Sequence, residues 1–172
     1  MKNGFTLIEI LSVLAIIFTL TSISVPLYRI IQKQHILENA AQKLAQDIRK
    51  SQEMAISARI CEICTPQRVP PGYGIYLEQS SSSYIIYADI NGNEFYNEGD
   101  AIVETISFER GIFIQSVNPS SLSINFRPPD PRIRIGNGSQ TLTEVSIVIS
   151  FSSDASKTKT IKVNKAGLIY VE

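Results

Sequence analysis

FTLIEILSVLAIIFTLTSISVPLY, residues Phe5 to Tyr28, decides how the rest of the chain must be read. Its 24 residues are apolar or hydroxylic apart from Glu9. As a helix rising 1.5 Å per residue they extend about 36 Å, enough to cross a hydrocarbon core of roughly 30 Å. Outside this run the composition changes: the whole chain is 44% hydrophobic, an ordinary value that hides one apolar segment and a polar, mixed remainder. Met1, Lys2, Asn3 and Gly4 form a very short polar leader. No small-x-small cleavage site follows the apolar run, so the order is not that of a secretory signal removed whole. Lys2 precedes the segment while Arg29 and Lys33 follow it, and the positive-inside rule alone leaves the orientation open.

Glu9 breaks the pattern. An ionised side chain near the bilayer centre costs about 2.5 to 3.5 kcal/mol on insertion scales, and such residues usually have a partner. If the chain is cut between Gly4 and Phe5, the new amine on Phe5 lies one helical turn from Glu9 and compensates it, within one subunit or between neighbours. The alternative is that Glu9 sits near the membrane surface and snorkels. Pro26 lacks a backbone N–H and clashes with the carbonyl four residues earlier, a cost of about 3 kcal/mol in a regular helix. A kink at Pro26, or local extension over Ser22 to Pro26, is expected.

Gly4-Phe5-Thr6-Leu7-Ile8-Glu9, with Lys2 in the leader and Pro26 in the helix, resembles the processing and methylation signal of the type IV pilin and pseudopilin superfamily. The resemblance implies cleavage after Gly4 by a prepilin peptidase/N-methyltransferase on the cytoplasmic side and N-methylation of Phe5. It also implies docking of Glu9 to the Phe5 amine of an adjacent subunit, an N-in orientation, and Pro26 as a place where the helix adapts in a fibre. The implied fold is α+β, a long N-terminal helix packed on an antiparallel β-sheet head. The segments Asp47 to Ile56, Gly72 to Tyr76 and Tyr87 to Gly92 look like the H-type minor pseudopilins of type II secretion and their type IV pilus relatives. Those relatives carry Ala-Arg-Ser-Glu-Ala where this helix reads Arg49-Lys-Ser51-Gln-Glu-Met-Ala55.

Working outward, residues 1–4 are read as leader, 5–28 as transmembrane and assembly helix, 29–60 as amphipathic helix and 61–172 as a β-rich head. Leu37, Ala41, Leu44, Ile48 and Ala55 recur at helical spacing, with Gln42, Lys43, Gln46, Asp47, Arg49 and Lys50 on other faces, so the helix should run to about Arg59. Cys64 to Gly72 is rich in breakers and should connect helix to sheet. The patterning predicts strands over Tyr73–Gln79, Ser83–Asp89, Ile102–Phe108, Ile112–Val117, Leu122–Phe126, Val145–Ser152, Thr158–Asn164 and Leu168–Val171. The last two, around Lys165-Ala166-Gly167, should form a terminal hairpin. Arg127 to Gly138, with three prolines and two glycines, reads as a long surface loop suited to specialised contacts.

The remaining chemistry is sparse. Sixteen basic residues balance 16 acidic ones, so no bulk field favours nucleic acid. Cys61 and Cys64 are too few for a disulfide framework or a four-ligand zinc site; they read as a local disulfide or a free pair, with zinc shared between subunits as the remaining alternative. Asp89, Asn91, Asn93, Asn97 and Asp100 follow a calcium-loop spacing, but Glu94 stands where glycine is required and the last position is Asp rather than Glu, so an ordinary Asn-Gly turn competes with Ca2+ binding. His35 stands alone, without a recognisable nucleophile motif. Lys157, Lys159, Lys162 and Lys165, with Arg127, Arg132 and Arg134, form either a solvated face or a DNA-contacting patch. No cofactor and no enzymatic activity are expected. The leading expectation is a structural subunit of a pilus or pseudopilus, inserted in the bacterial inner membrane with its head outside and partnered by other pilin or pseudopilin subunits. A DNA-capturing minor pilin and a non-polymerising membrane-anchored surface domain are the alternatives.

Overall fold

The computed structural model describes residues 4, 6–109, 111–128 and 132–172, without the side chains of residues 26, 27, 29 and 30. Among the described residues one helix, α1 (Leu7–Ile56), precedes ten strands. The chain divides into two compact units, Met1–Ile36 and Leu37–Glu172. The fold is α+β.

In the second unit α1 presents a stripe of Leu37, Ala40, Ala41, Leu44, Ala45, Ile48, Ser51, Met54 and Ala55, all buried. The spacing of three and four residues places them on one face, and the small side chains among them let the helix sit close to what it covers. Its end falls at Ile56, three residues short of the periodicity-based limit, for a backbone reason. Ala58 adopts a left-handed conformation, φ 47°, Arg59 N–H donates to Met54 O at 3.1 Å and Ala58 N–H to Ala55 O at 3.0 Å. These are the two bonds of a Schellman ending, which fills the last free carbonyls of a helix but normally uses glycine.

Strands β1 (Gly72–Glu78), β2 (Ser83–Asp89), β3 (Ala101–Ser107), β5 (Ser121–Arg127), β6 (Arg132–Gly136) and β7 (Thr141–Leu142) form a six-stranded antiparallel sheet in the order β3-β2-β1-β5-β6-β7. Register aligns Ile86, Ile75, Ile124 and Ile135 in one row across four strands, and all four are fully buried. This face meets α1: Tyr84 donates its hydroxyl to Asp47 Oδ2 at 2.6 Å and Tyr73 donates to the Arg59 carbonyl at 2.9 Å. Burial, then the bond to Asp47, pushes the Tyr84 hydroxyl far above the ordinary tyrosine range, so it remains a donor.

The remaining strands, β4 (Ile112–Val117), β8 (Glu144–Phe151), β9 (Asp154–Asn164) and β10 (Ile169–Val171), make a second antiparallel sheet in the order β10-β9-β8-β4. It buries Ile114, Ile147, Ile149, Ile161 and Val163. Arg49 of α1 donates to the Ile169 carbonyl at 2.8 Å. The hairpin around Lys165 to Gly167 joins β9 to β10 as the patterning implies.

A second expectation is corrected. Arg127 to Gly138 is not a long loop, because Arg132–Gly136 pairs with β5 as β6. The prolines lie at 128, 129 and 131, while Arg132-Ile133-Arg134-Ile135 alternates with both isoleucines buried and both arginines exposed. Proline content obscured a two-residue period.

Since a left-handed alanine carries a steric cost that glycine lacks, Ala58→Gly should stabilise the chain by about 0.5–1 kcal/mol, read as a higher urea midpoint at unchanged slope. A lower midpoint would refute the strained-ending account.

Candidate functional site

In the first unit, Leu7–Val25 is a 19-residue helical stretch of mean hydropathy 2.2, none of it buried within the chain. By length and composition it can cross a membrane. Its apolar side chains point in every direction, among them Leu7, Ile8, Leu11, Leu14, Ile17 and Phe18, all exposed. A helix apolar all round is one that lipid or other protein surrounds. The hydroxyls fit such a setting: Ser12, Thr19, Thr21, Ser22 and Ser24 each donate to a backbone carbonyl three or four residues earlier at 2.7–3.0 Å. That leaves the Glu9 carboxylate as the costly polar group of the segment.

Glu9 also has a local role that the spacing carried but the sequence reading passed over. Thr6 precedes the first helical residue, and its hydroxyl accepts the Glu9 N–H at 3.3 Å. Thr6-x-x-Glu9 is the pattern of a capping box, which occupies donors left free in the first turn, and a carboxylate there complements the helix dipole. Gly4 is exposed, and among the described residues a Cβ built on it would meet nothing within 4 Å. Phe5, the expected methylation site, lies outside the described residues, as does the side chain of Pro26. The helical conformation continues through Ser22 to Pro26.

The head offers a second constellation on the outer face of the six-stranded sheet. The segment from Ile90 to Asp100 folds across it. Tyr96 packs at a tilt against Tyr76 and edge-on against Tyr87, ring centres 4.7 and 5.3 Å away, and its N–H donates to Ser123 Oγ at 3.0 Å. Space for this layer comes from two glycines: a Cβ on Gly74 would lie 2.6 Å from the Tyr87 ring, and one on Gly72 would lie 2.7 Å from Asn125 Oδ1. Gly72-Tyr-Gly74-Ile-Tyr76 is therefore a strand built for close approach.

The residues read as a calcium loop all lie in or beside this segment, with their oxygens engaged. Asp89, 1% exposed, accepts from Gly92 N–H at 2.7 Å and Glu94 N–H at 3.0 Å. Asp100 accepts from Ile90 and Asn97 N–H, while Asn91, Asn93 and Asn97 accept from Asn93, Phe95 and Gly99 N–H. The bonds of Asp89 to Gly92 and of Asn91, Asn93 and Asn97 are Asx-type turns, in which the side chain satisfies the backbone two or three residues on, while Asp89 to Glu94 and the two bonds of Asp100 close the segment over longer or reversed spans. Among the described residues no group of three or more His, Cys, Asp or Glu is arranged to hold a metal ion. Burial raises the Asp89 carboxyl above its ordinary value, against the Glu94 and Gly92 N–H bonds that favour its charged form.

Cys61 and Cys64 are joined in a disulfide, Cα atoms 5.4 Å apart. Its loop is tied back by a Cys61–Arg68 bridge and by Arg68 donating to the Ile90 carbonyl. His35 is exposed on α1. Lys159 and Lys162 fall on opposite faces of β9. Strand periodicity sends Lys159 to the α1 side, where it pairs with Glu38, and Lys162 to the other face, where it pairs with Glu172. Arg127 and Arg134 both pair with Glu94, at 3.3 and 3.2 Å.

A helix of membrane-spanning length joined to an antiparallel β head through its buried second half defines a membrane-anchored subunit of pilin type. A family model described as type II transport protein GspH matches residues 40–167, so the chain belongs to that family, a pseudopilin family of structural rather than catalytic subunits. The match covers the head and the adjoining turns of α1, and not the apolar segment. No curated protein and no solved structure matches the chain significantly.

Asp89 gives a pH prediction. Its folded carboxyl titrates above the 3.8 of an unperturbed Asp, so as pH falls the folded state takes up its proton before the unfolded state does. Wild type should therefore gain stability relative to D89N on acidification from pH 7 toward 4, the gain being complete below the unfolded value and lost as pH rises through the folded one. Urea melts of both proteins at the two pH values check this, and a shift of the difference against wild type refutes it.

Proposed function

We propose that the chain is a pseudopilus subunit of type II secretion, cut after Gly4 by a prepilin peptidase, methylated on the Phe5 amine and polymerised through its apolar helix. In this reading the N-terminus is cytoplasmic before assembly and the head lies outside, an oxidising side compatible with the Cys61–Cys64 disulfide. The observation that carries the reading is the lone Glu9 in an otherwise self-satisfied apolar helix. A simple anchor has no use for a charge costing about 2.5 to 3.5 kcal/mol, whereas a fibre does if a neighbour's Phe5 amine meets it as a charge-assisted pair in a low-dielectric core. Gly4 adds support. Neither crowding nor a left-handed backbone requires glycine there, so its identity suits recognition by a peptidase rather than packing.

DNA capture has weaker support, because Lys159 and Lys162 occupy opposite faces of β9 and each is paired within the chain. A salt-sensitive shift of DNA by the full chain, lost when Lys157 and Lys165 are changed, would revive it.

Mass spectrometry of the N-terminus from native membranes tests the processing step. The expected species begins at Phe5 and carries one added methyl group; an intact Met1 or a cut elsewhere overturns the proposal. For assembly, Glu9→Val should be processed normally yet incorporated into fibres at least tenfold less than wild type, scored by sheared-fibre immunoblots. Unchanged incorporation would favour a plain anchor.

A further inference from the structure

We propose that Asn137-Gly138, in the turn between β6 and β7, is a self-modifying site whose side-chain amide is exchanged with water through a cyclic imide, while hydrogen bonds hold Asn91-Gly92 against the same reaction. The inference is independent of the subunit reading above and concerns the head alone.

The sequence holds three Asn-Gly pairs, and Asn3 of the first lies outside the described residues. Glycine matters in such a pair because, lacking a side chain, it lets its backbone nitrogen approach the asparagine amide. Asn91 and Asn137 are both exposed, so access to water does not separate them. What separates them is which of the reacting atoms are already engaged.

At Asn91 the nucleophile and the leaving group are both held. Gly92 N–H donates to Asp89 Oδ1 at 2.7 Å, and Asn91 Nδ2 donates to Asn97 Oδ1 at 3.2 Å. Removing the Gly92 proton would set a second negative charge against the Asp89 carboxylate, which disfavours it. At Asn137, neither Gly138 N–H nor Asn137 Nδ2 has a partner among the described residues. The third reacting atom is instead supported: Asn137 Oδ1 accepts from Ser139 N–H at 3.2 Å and Gln140 N–H at 3.0 Å. Two backbone donors on one carbonyl oxygen stabilise the charge it gains when its carbon is attacked.

Loss of the Gly138 amide proton to hydroxide lets that nitrogen bond to Asn137 Cγ, and the negative charge passes to Oδ1. Collapse of the adduct breaks the Cγ–Nδ2 bond. Nδ2 takes a proton from water and leaves as ammonia, and a cyclic imide remains. Water then opens the ring at one of its two carbonyls. Attack at Cγ breaks the newly formed bond and gives aspartate. Attack at the Asn137 main-chain carbonyl breaks the original peptide bond and gives isoaspartate, whose chain runs through Cβ.

The turn has no slack for that longer chain. A Cβ on Gly136 would overlap the Gln140 carbonyl, and Asn137 N–H donates to that same carbonyl at 3.2 Å. Strand β7 has two residues, Thr141 and Leu142, paired with Gly136 and Ile135. Isoaspartate therefore releases β7, whereas aspartate keeps the acceptor oxygen and the turn.

The test incubates the full chain in detergent micelles at mildly alkaline pH, beside a sample unfolded in urea. Peptide mass spectrometry, with fragmentation that distinguishes isoaspartate, follows both sites. In the folded chain Asn137 should convert about tenfold or more faster than Asn91, the scale that one lost oxyanion donor reaches, and in urea the two rates should converge. The isoaspartyl fraction should exchange the Thr141 and Leu142 amide hydrogens faster than N137D does. Equal conversion in the folded chain, conversion at Asn91 alone, or an inert Asn137 overturns the proposal. So does a preference that persists in urea, because neighbouring sequence rather than the fold would then set it. Unchanged exchange at Thr141 and Leu142 overturns the release of β7.

Discussion

The seat of α1 on the six-stranded sheet is the contact on which the head depends. Leu44 and Ile48 are fully buried, as is the Ile86–Ile75–Ile124–Ile135 row on the sheet face that meets α1. Burying each such side chain is worth roughly 1.5–3 kcal/mol. Hydrophobic contact alone does not set which turn of the helix lies over which strand. The Tyr84 and Tyr73 hydroxyls do, because a buried donor left without its acceptor costs about 1–3 kcal/mol. This seat consumes only the stripe from Leu37 onward, and the apolar residues before it are left for another surrounding. One helix thus carries a stripe spent within the head and an apolar run, Leu7–Val25, that nothing in the chain covers among the described residues.

The outer face of the sheet solves a different problem. A sheet with one face on a helix can leave the other to water, yet here Tyr87, Asp89, Ser123 and Asn125 on that face are buried. The cover is a segment without regular structure, and an irregular buried segment must satisfy its own backbone. The Asp and Asn side chains do this, which accounts for a run of oxygen ligands at calcium-like spacing whose acceptors face N–H groups. Gly72 and Gly74 lower the floor, Tyr96 fills it, and Glu94 ties the cover to Arg127 and Arg134. The six-stranded sheet thereby carries a layer on each face, α1 on one and the Ile90 to Asp100 segment on the other.

Much of the architecture was legible residue by residue. The apolar run with its single carboxylate, the stripe from Leu37 to Ala55, and most strands were readable because each carries a period set by covalent geometry, 3.6 for a helix and 2 for a strand. The strand at Arg132–Gly136 was missed because neighbouring prolines outweighed a four-residue alternation. The helix end was misplaced by three residues because a left-handed alanine has no sequence signature, and Thr6 was overlooked as a cap because the resemblance drew its neighbours into another role.

The sequence by itself determined that a long apolar helix precedes a β-rich head, which surface of that helix is core, and that Glu9 is anomalous, since all of these follow from local order along the chain. Only the tertiary structure decided that the strands split into two sheets, that Lys159 and Lys162 fall on opposite faces of β9, and that the Asp and Asn oxygens between Asp89 and Asp100 are spent on backbone donors. Those depend on which distant residues become neighbours, and strand order is a property of packing that no local pattern encodes.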